Sequence, residues 1–405
     1  SPRSWQVLGD IVDFAHGRGQ RVFPYLGTFF ISPYDNIRRD TAFDPAQGRF
    51  PDSQLLRKKA EATRQEEFFY FAEDWHLRPR KVNEPEWETR QEVRTAAGSS
   101  WADYFVHGIA EMLERTDVDG FYLDIANPML DMNEDRELTV VTKDGKREGT
   151  RELFAARDLY KRLYRVFEQR RGPERRPWMF GHGFAVSVPY SPFWDVNFNC
   201  EEVKPSAPFG FTSMNLQDSL EGTPLAKRVD SDEARSFDAH AFRAHFGEQF
   251  GVPNVVLPQY GYKPALNTPA HSREMLSWTF LHNAMLWPAY IPSQPVYEFW
   301  SKVEVPFGMG DTEFHPYWAN GVAPRPASVK VSYWSKAERD DFLLAAANWS
   351  EQEVSATIPL PEALRQFNAC VDMETGEALE CGDTLRATLP PHDLRAFRFQ
   401  APAAN

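Results

Sequence analysis

The sequence predicts an α/β fold: a (β/α)8 TIM-like barrel, lacking its first two strands, followed by a C-terminal antiparallel β-sandwich. Three observations predict it. Six short hydrophobic runs are separated by helical patterns or loops, the order expected of a parallel sheet. No G-x-G-x-x-G or other phosphate-loop pattern follows any of them, which weighs against an open doubly-wound sheet. From about Pro326 the runs are separated by turns instead of helices. The expected domains are 1–325, an N-terminally incomplete barrel, and 326–405, the sandwich.

The elements follow in order. Trp5 to Ala15 is an amphipathic helix with Ser4 as its cap, and it leads into a β-rich run from Arg21 to Phe30. The polar, aromatic stretch from Ser32 to Gly98 is too long for a simple connection and is expected to be functional. Ser99 or Ser100 then caps a helix from Trp101 to Glu114, where Phe105, Ile109, Met112 and Leu113 recur at helical spacing. This helix feeds a strand ending at Asp124. After a turn at Asp144-Gly145, a helix from Arg151 to Gln169 precedes strands at Trp178–His182 and Phe193–Asn197. A helix near Asp238 to Phe250, a strand at Asn254–Pro258, a helix from Arg273 to Asn283 and a strand at Ala284–Pro288 complete the series. Runs at Val329–Trp334, Phe342–Asn348, Glu353–Ile358 and Arg395–Phe399 are sandwich strands. Six strands are two short of a closed barrel. A chain that opens on Ser1 and runs straight into a helix is expected to lack the portion carrying the other two, so localisation is not read from this end, and a periplasmic or secreted destination stays open.

Composition narrows the function. At 405 residues two domains are the natural division, and 42% hydrophobic with 14% aromatic content fills a sizeable core. A formal charge of −13 argues against nucleic acid or an anionic membrane surface as the main partner. No run of about 18 apolar residues is present. Only three Cys occur, too few for a disulfide scaffold. If Thr375-Gly376 is a two-residue turn, Cys370 stands opposite Cys381 with Cα atoms about 5.5 Å apart. That spacing permits a bridge, although two free thiols are the preferred expectation.

The chemistry is expected at the strand ends, because the carboxyl rim is where parallel α/β enzymes collect reactive groups. In Asp117-Val118-Asp119-Gly120-Phe121-Tyr122-Leu123-Asp124-Ile125-Ala126-Asn127, Val118, Phe121 and Leu123 are expected inside the barrel or sheet, with Asp124 projecting from the end. The same Asp also fits a cap of the following loop. His182 closes the next strand, Asp195 lies on the third, and Glu201-Glu202 follow it. Two carboxylates presented from different strands are the minimum equipment for glycosidic hydrolysis: one attacks or stabilises the anomeric carbon, and the other protonates the departing oxygen. The acid needs a raised pKa, which a like-charged neighbour such as Glu201 beside Glu202 supplies. Each residue also has a plain structural reading: a solvated Glu pair, a core His, an Asp that braces a neighbour. His240 and His245, or His271 and His282, lack the spacing of a zinc helix, and no G-x-S-x-G elbow occurs. No metal or other cofactor is expected. Tyr25, Tyr260 and Trp287 are candidates for stacking on a sugar, Tyr260 above all because it follows a strand directly.

These residues carry a resemblance. Ser99-Ser100-Trp101, Asp119 to Asp124, Gly181-His182, Asp195, Glu201 and Phe314-His315-Pro316-Tyr317-Trp318-Ala319-Asn320 resemble a bacterial family similar to glycoside hydrolase family 123, over roughly residues 90 to 350. The resemblance implies a catalytic barrel with an appended β-domain. The layout is also similar to the retaining α-glycosidases of the α-galactosidase clan, in which the nucleophilic Asp ends the fourth barrel strand and the acid follows the sixth. That likeness implies Asp124 as nucleophile and Glu201 or Glu202 as acid/base. Ile125 after Asp124 departs from the adjacent Asp-Glu pair of family 123, and Met129-Leu130-Asp131 replaces a Cys- and His-containing stretch.

The expected function is a glycoside hydrolase of an oligo- or polysaccharide. Asp124, Glu201 and Glu202 would be catalytic, and His182, Asn127, Asp195, Tyr260, Tyr25 and Trp287 would contact substrate. The alternative is a non-catalytic glycan-binding protein on a decayed barrel.

Overall fold

The computed structural model describes residues 2–31, 93–128, 130–131, 140–183, 189–199, 203–205, 211–213, 242–247, 251–258, 260, 265, 267–337 and 340–400. The chain divides into two compact units, Ser1–Asn197 and Phe198–Asn405.

In the first unit, three helices each precede a parallel strand. Helix α1 (Pro2–His16) leads to β1 (Tyr25–Gly27), α2 (Trp101–Arg115) to β2 (Gly120–Asp124), and α3 (Leu153–Arg171) to β3 (Trp178–His182). β1 pairs with β2 in the register Tyr25↔Tyr122 and Gly27↔Asp124. β2 pairs with β3 in the register Gly120↔Trp178 and Leu123↔Gly181. A 3-10 turn at Ser191–Phe193 precedes β4 (Val196–Asn199), which runs across the unit boundary and starts later than the sequence pattern indicated. Ser99, rather than Ser100, caps α2: its hydroxyl oxygen accepts the Trp101 N–H at 3.2 Å.

Alternation along β2 sorts its side chains between two faces. Phe121 and Leu123 are fully buried, and Phe121 meets Phe167 of α3 edge-on at 6.0 Å. They face the helical layer, not a barrel interior. Tyr122 and Asp124 occupy the other face. Helix α2 is amphipathic through the helical period of about 3.6 residues, burying Trp101, Phe105, Val106, Ile109, Met112 and Leu113.

The amino end of β2 is tied down by charge. The Val22 N–H donates to Asp119 Oδ2 at 2.8 Å, the Asp119 N–H returns to the Val22 carbonyl at 3.0 Å, and His16 Nε2 stands 2.9 Å from the same carboxylate. Arg175 reaches Asp117 at 2.8 Å. Of the three acids in this segment, two therefore anchor the start of the strand and one lies at its end.

The second unit contains a βαβ element. β5 (Asn254–Val256) pairs in parallel with β6 (Met285–Leu286) around helix α4 (Pro269–Leu281), whose Thr268 cap accepts the His271 N–H. The antiparallel part uses β7 (Thr312–His315), β8 (Val329–Lys336), β9 (Asp341–Asn348), β10 (Val354–Pro359), β11 (Ala369–Asp372), β12 (Ala378–Glu380), β13 (Thr384–Leu389) and β14 (Asp393–Gln400). One sheet has the order β7-β8-β9-β14-β11-β12, and β10 pairs with β13 in a second. Every residue of β9 is buried. Phe342, Leu344 and Ala346 enter the core shared with β10 and β13, whereas Leu343, Ala345 and Ala347 enter the core shared with α4. A strand covered on both faces needs a continuous apolar run, which this one has. Because α4 shares a core with the sandwich sheet, compactness divides the chain well before the change of strand pattern near 326. Among the described residues no closed barrel is present. The mixed α/β class holds, with strands at all six sequence positions where they were expected, five of them in parallel pairs.

Cys370 is opposite Leu379, not Cys381, because the hairpin closes through a longer turn in which the Gly376 N–H bonds the Asp372 carbonyl. Both thiols are free. Burial first, and then the neighbouring Cys381, push the Cys370 thiol up to about 12.

Arg273 fastens α4 to the sandwich. It forks onto Glu374 at 2.7 and 2.9 Å and donates from Nε to Asp393 at 2.7 Å. Replacing it leaves two largely buried carboxylates without their cation. Arg273→Met is expected to lower stability by about 3 kcal/mol in urea denaturation followed by tryptophan fluorescence.

Candidate active site

The carboxyl ends of β1, β2 and β3 bring four side chains together. Asp124 is the last residue of β2, in register with Gly27 of β1. Tyr25, two residues earlier on β1, lies on the same face as Tyr122, and the two rings stack at 5.3 Å. The Tyr25 hydroxyl donates to Asp124 Oδ2. From β3, His182 Nδ1 stands 3.0 Å from Asp124 Oδ1 and 2.7 Å from the Tyr122 hydroxyl. The Asp124 side chain keeps 17% of its surface exposed. It is sheltered yet open to a reactant.

Burial alone would raise the Asp124 pKa. Hydrogen bonds from His182 and Tyr25, the electrostatic interaction with His182 and the Ile125 N–H outweigh it, so the carboxyl lies below its ordinary value. A carboxylate held in its ionised form is suited to attack an electrophilic carbon or to stabilise a neighbouring positive charge. It is poorly suited to donate a proton.

The backbone after Asp124 is strained. Ile125 has φ +48°, a left-handed conformation that a β-branched residue rarely adopts. Neighbouring strands hold the turn on both sides: the Thr28 N–H donates to the Asp124 carbonyl at 3.0 Å, and the Ala126 N–H to the His182 carbonyl at 2.8 Å. The buried Tyr160 hydroxyl donates to the Ala126 carbonyl. Such strain costs about 1–3 kcal/mol and persists where surroundings over-determine the geometry, which is common at functional sites. Gly183 is required here, since a Cβ would lie 2.2 Å from Asn127 Oδ1.

The other expected site residues are distributed differently. Asn127 is buried and accepts the Tyr190 hydroxyl at 3.1 Å, so it packs the turn. Asp195 belongs to the opposite end of β3: its carboxylate accepts the Met179 N–H at 2.8 Å and pairs with Arg176. Three residue steps along the strand separate Met179 from His182, about 10 Å. The expectation that Asp195 contacts substrate beside His182 is corrected to a brace at the amino end. Tyr260 is fully buried in the core of the second unit, its hydroxyl donating to the His271 carbonyl at 3.4 Å, so it does not face a ligand. Trp287, just beyond β6, is 38% exposed and meets Phe198 edge-on at 4.6 Å. Glu201 and Glu202 lie outside the described residues. Tyr122 was missed, although its position two residues before Asp124 on one strand places both on one face. Among the described residues, no group of His, Cys, Asp and Glu could hold a metal, and no helix is long and apolar enough to cross a membrane.

No protein-family model matches the chain, and no curated protein matches it in sequence. Solved structures do share its fold. The noncanonic maltogenic α-amylase AmyB of Thermotoga neapolitana is 11% identical, covers 98% of this chain over 81% of its own, and superposes with a TM-score of 0.54. An Anoxybacillus α-amylase is 9% identical, with 98% and 80% coverage and a TM-score of 0.52. The Geobacillus thermoleovorans α-amylase complexed with acarbose is 10% identical, with 98% and 81% coverage and a TM-score of 0.50. At these identities the likeness is one of fold.

A depressed carboxyl pKa adds stability above the ordinary carboxylate value, and that contribution is lost as pH falls through the folded-state pKa. Tyr25→Phe removes one donor to the ionised form. The Asp124 pKa is therefore expected to rise, and the acid loss of stability to begin at higher pH. Carbon-13 NMR titration of the Asp124 carboxyl reads this directly, and an unchanged value would show that Tyr25 does not support the charge.

Proposed function

We propose that this protein is a glycoside hydrolase acting on an oligo- or polysaccharide, with Asp124 as the carboxylate that attacks or stabilises the anomeric carbon. The observation that carries the reading is an ionised Asp at the carboxyl end of a parallel strand, each oxygen met by a donor from a neighbouring strand. The fold likeness to three α-amylases, one complexed with acarbose, supports a carbohydrate substrate.

In the retaining form of the mechanism, a lone pair of Asp124 forms a bond to C1 as the glycosidic C–O bond breaks. The acid gives its proton to the departing oxygen, and water then hydrolyses the glycosyl ester with that residue acting as base. Glu201 or Glu202 is proposed for the second role, following the order of the α-galactosidase clan. Tyr25 and His182 hold the nucleophile and reach the sugar hydroxyls. Trp287 is retained as a stacking residue. The finer assignment to the family 123-like group rests on the sequence motifs.

The test is turnover of a panel of aryl glycosides and polysaccharides, with the anomer of the first-formed product read by proton NMR. Asp124→Ala is expected to lose at least about 10³-fold in kcat, within the range for removal of a central catalytic group. Added azide should restore turnover and trap a glycosyl azide if Asp124 is the nucleophile. Full activity in Asp124→Ala would remove it from the mechanism.

A further inference from the structure

Two groups compete for one nitrogen in this cluster. His182 Nδ1 lies 3.0 Å from Asp124 Oδ1 and 2.7 Å from the Tyr122 hydroxyl. A ring nitrogen carries either a hydrogen or a lone pair. While Asp124 is an anion, a bare Nδ1 would set its lone pair against a charged oxygen at hydrogen-bond distance. The stable arrangement therefore places the hydrogen on Nδ1, donating to Asp124, with the Tyr122 oxygen as a second acceptor. When Asp124 carries no charge, that attraction weakens. A phenol is a better donor than acceptor, so Tyr122 then favours the opposite tautomer, donating its own hydrogen to a bare Nδ1.

We infer that Tyr122 is a positioning residue that takes over His182 Nδ1 whenever Asp124 loses its negative charge, so that the His182 tautomer follows the charge state of Asp124. In the exchange one proton leaves Nδ1 for solvent and one reaches Nε2 from solvent. The imidazole charge is unchanged, and Tyr122 keeps its proton. The geometry lets the ring stay in place throughout. Tyr122 and Phe180 are register partners, and the Ala126 N–H fixes the His182 carbonyl, so both partners approach from β2 without a strand moving. Tyr25 binds the other oxygen of Asp124 and does not enter this exchange.

The catalytic consequence rests on the proposed function. Asp124 is neutral while esterified to the sugar and charged before and after, so Tyr122 would hold His182 during the intermediate alone. The tautomer coupling itself does not need that reading.

The test uses the full chain with nitrogen-15-labelled histidine, and long-range proton–nitrogen correlations assign Nδ1 and Nε2 of His182. Nδ1 is expected at the protonated position in the parent protein and in Tyr122→Phe. In Asp124→Ala it should move to the position of an unprotonated nitrogen that accepts a hydrogen bond. The double variant should differ from Asp124→Ala by loss of that acceptor signature. If Asp124→Ala does not fold, Asp124→Leu, uncharged and of similar shape, gives the same reading. A protonated Nδ1 in the charge-free variant, or identical spectra for the single and double variants, would overturn the inference. In turnover, Tyr122→Phe should lower kcat and KM together by about tenfold and leave kcat/KM unchanged, because only breakdown of the intermediate is slowed. Absence of turnover in the parent protein would count against the glycosidase reading and leave the spectroscopic result to stand.

Discussion

The candidate site depends above all on the parallel register of β1, β2 and β3. Pairing Gly27 with Asp124, and Leu123 with Gly181, sets Tyr25, Tyr122, Asp124 and His182 at one end and on one face. A one-residue slip would turn Asp124 toward the helical layer and Leu123 toward the site, since strand side chains alternate. The register is therefore also an electrostatic constraint. It supplies the donors that keep a partly buried carboxylate ionised against the cost of its own burial.

That register is enforced from both ends. At the amino end, Asp119 accepts the Val22 N–H and faces His16, so a charged group ties β2 to the segment before β1. At the carboxyl end, backbone bonds from Thr28 and Ala126 clamp the turn through Ile125. Asp119, just before β2, and Asp124, at its end, are five residues apart and differ in role because of where they fall. The first is satisfied by the Val22 N–H and by His16, and the second stands at a rim where a hydroxyl and an imidazole meet it.

The second unit follows a different constraint. Its central strand β9 is buried on every residue and apolar from Phe342 to Ala347 because two cores press on it, one from the partner sheet and one from α4. The Arg273 fork then locks helix to sheet by charge. Tyr260 illustrates the result. A tyrosine just past a strand end reads as a ligand contact, but here its ring is absorbed by the core that α4 shares with the sandwich.

Much of this was legible in residue order. Helical spacing from Trp101 onward, the compact strand at Trp178–His182 and the turn-separated runs beyond 326 determine local structure by short-range periodicity. The same periodicity marks Asp124 and His182 as strand-end residues. Tertiary structure alone decided which face each strand turned, and so joined Tyr25 and Tyr122 to that pair while assigning Asn127 and Asp195 to packing and bracing. It also decided that the helix at 269–281 belongs to the sandwich core. The physical reason is the same in each case: alternation gives a side chain one of two faces, and only long-range pairing and burial choose between them.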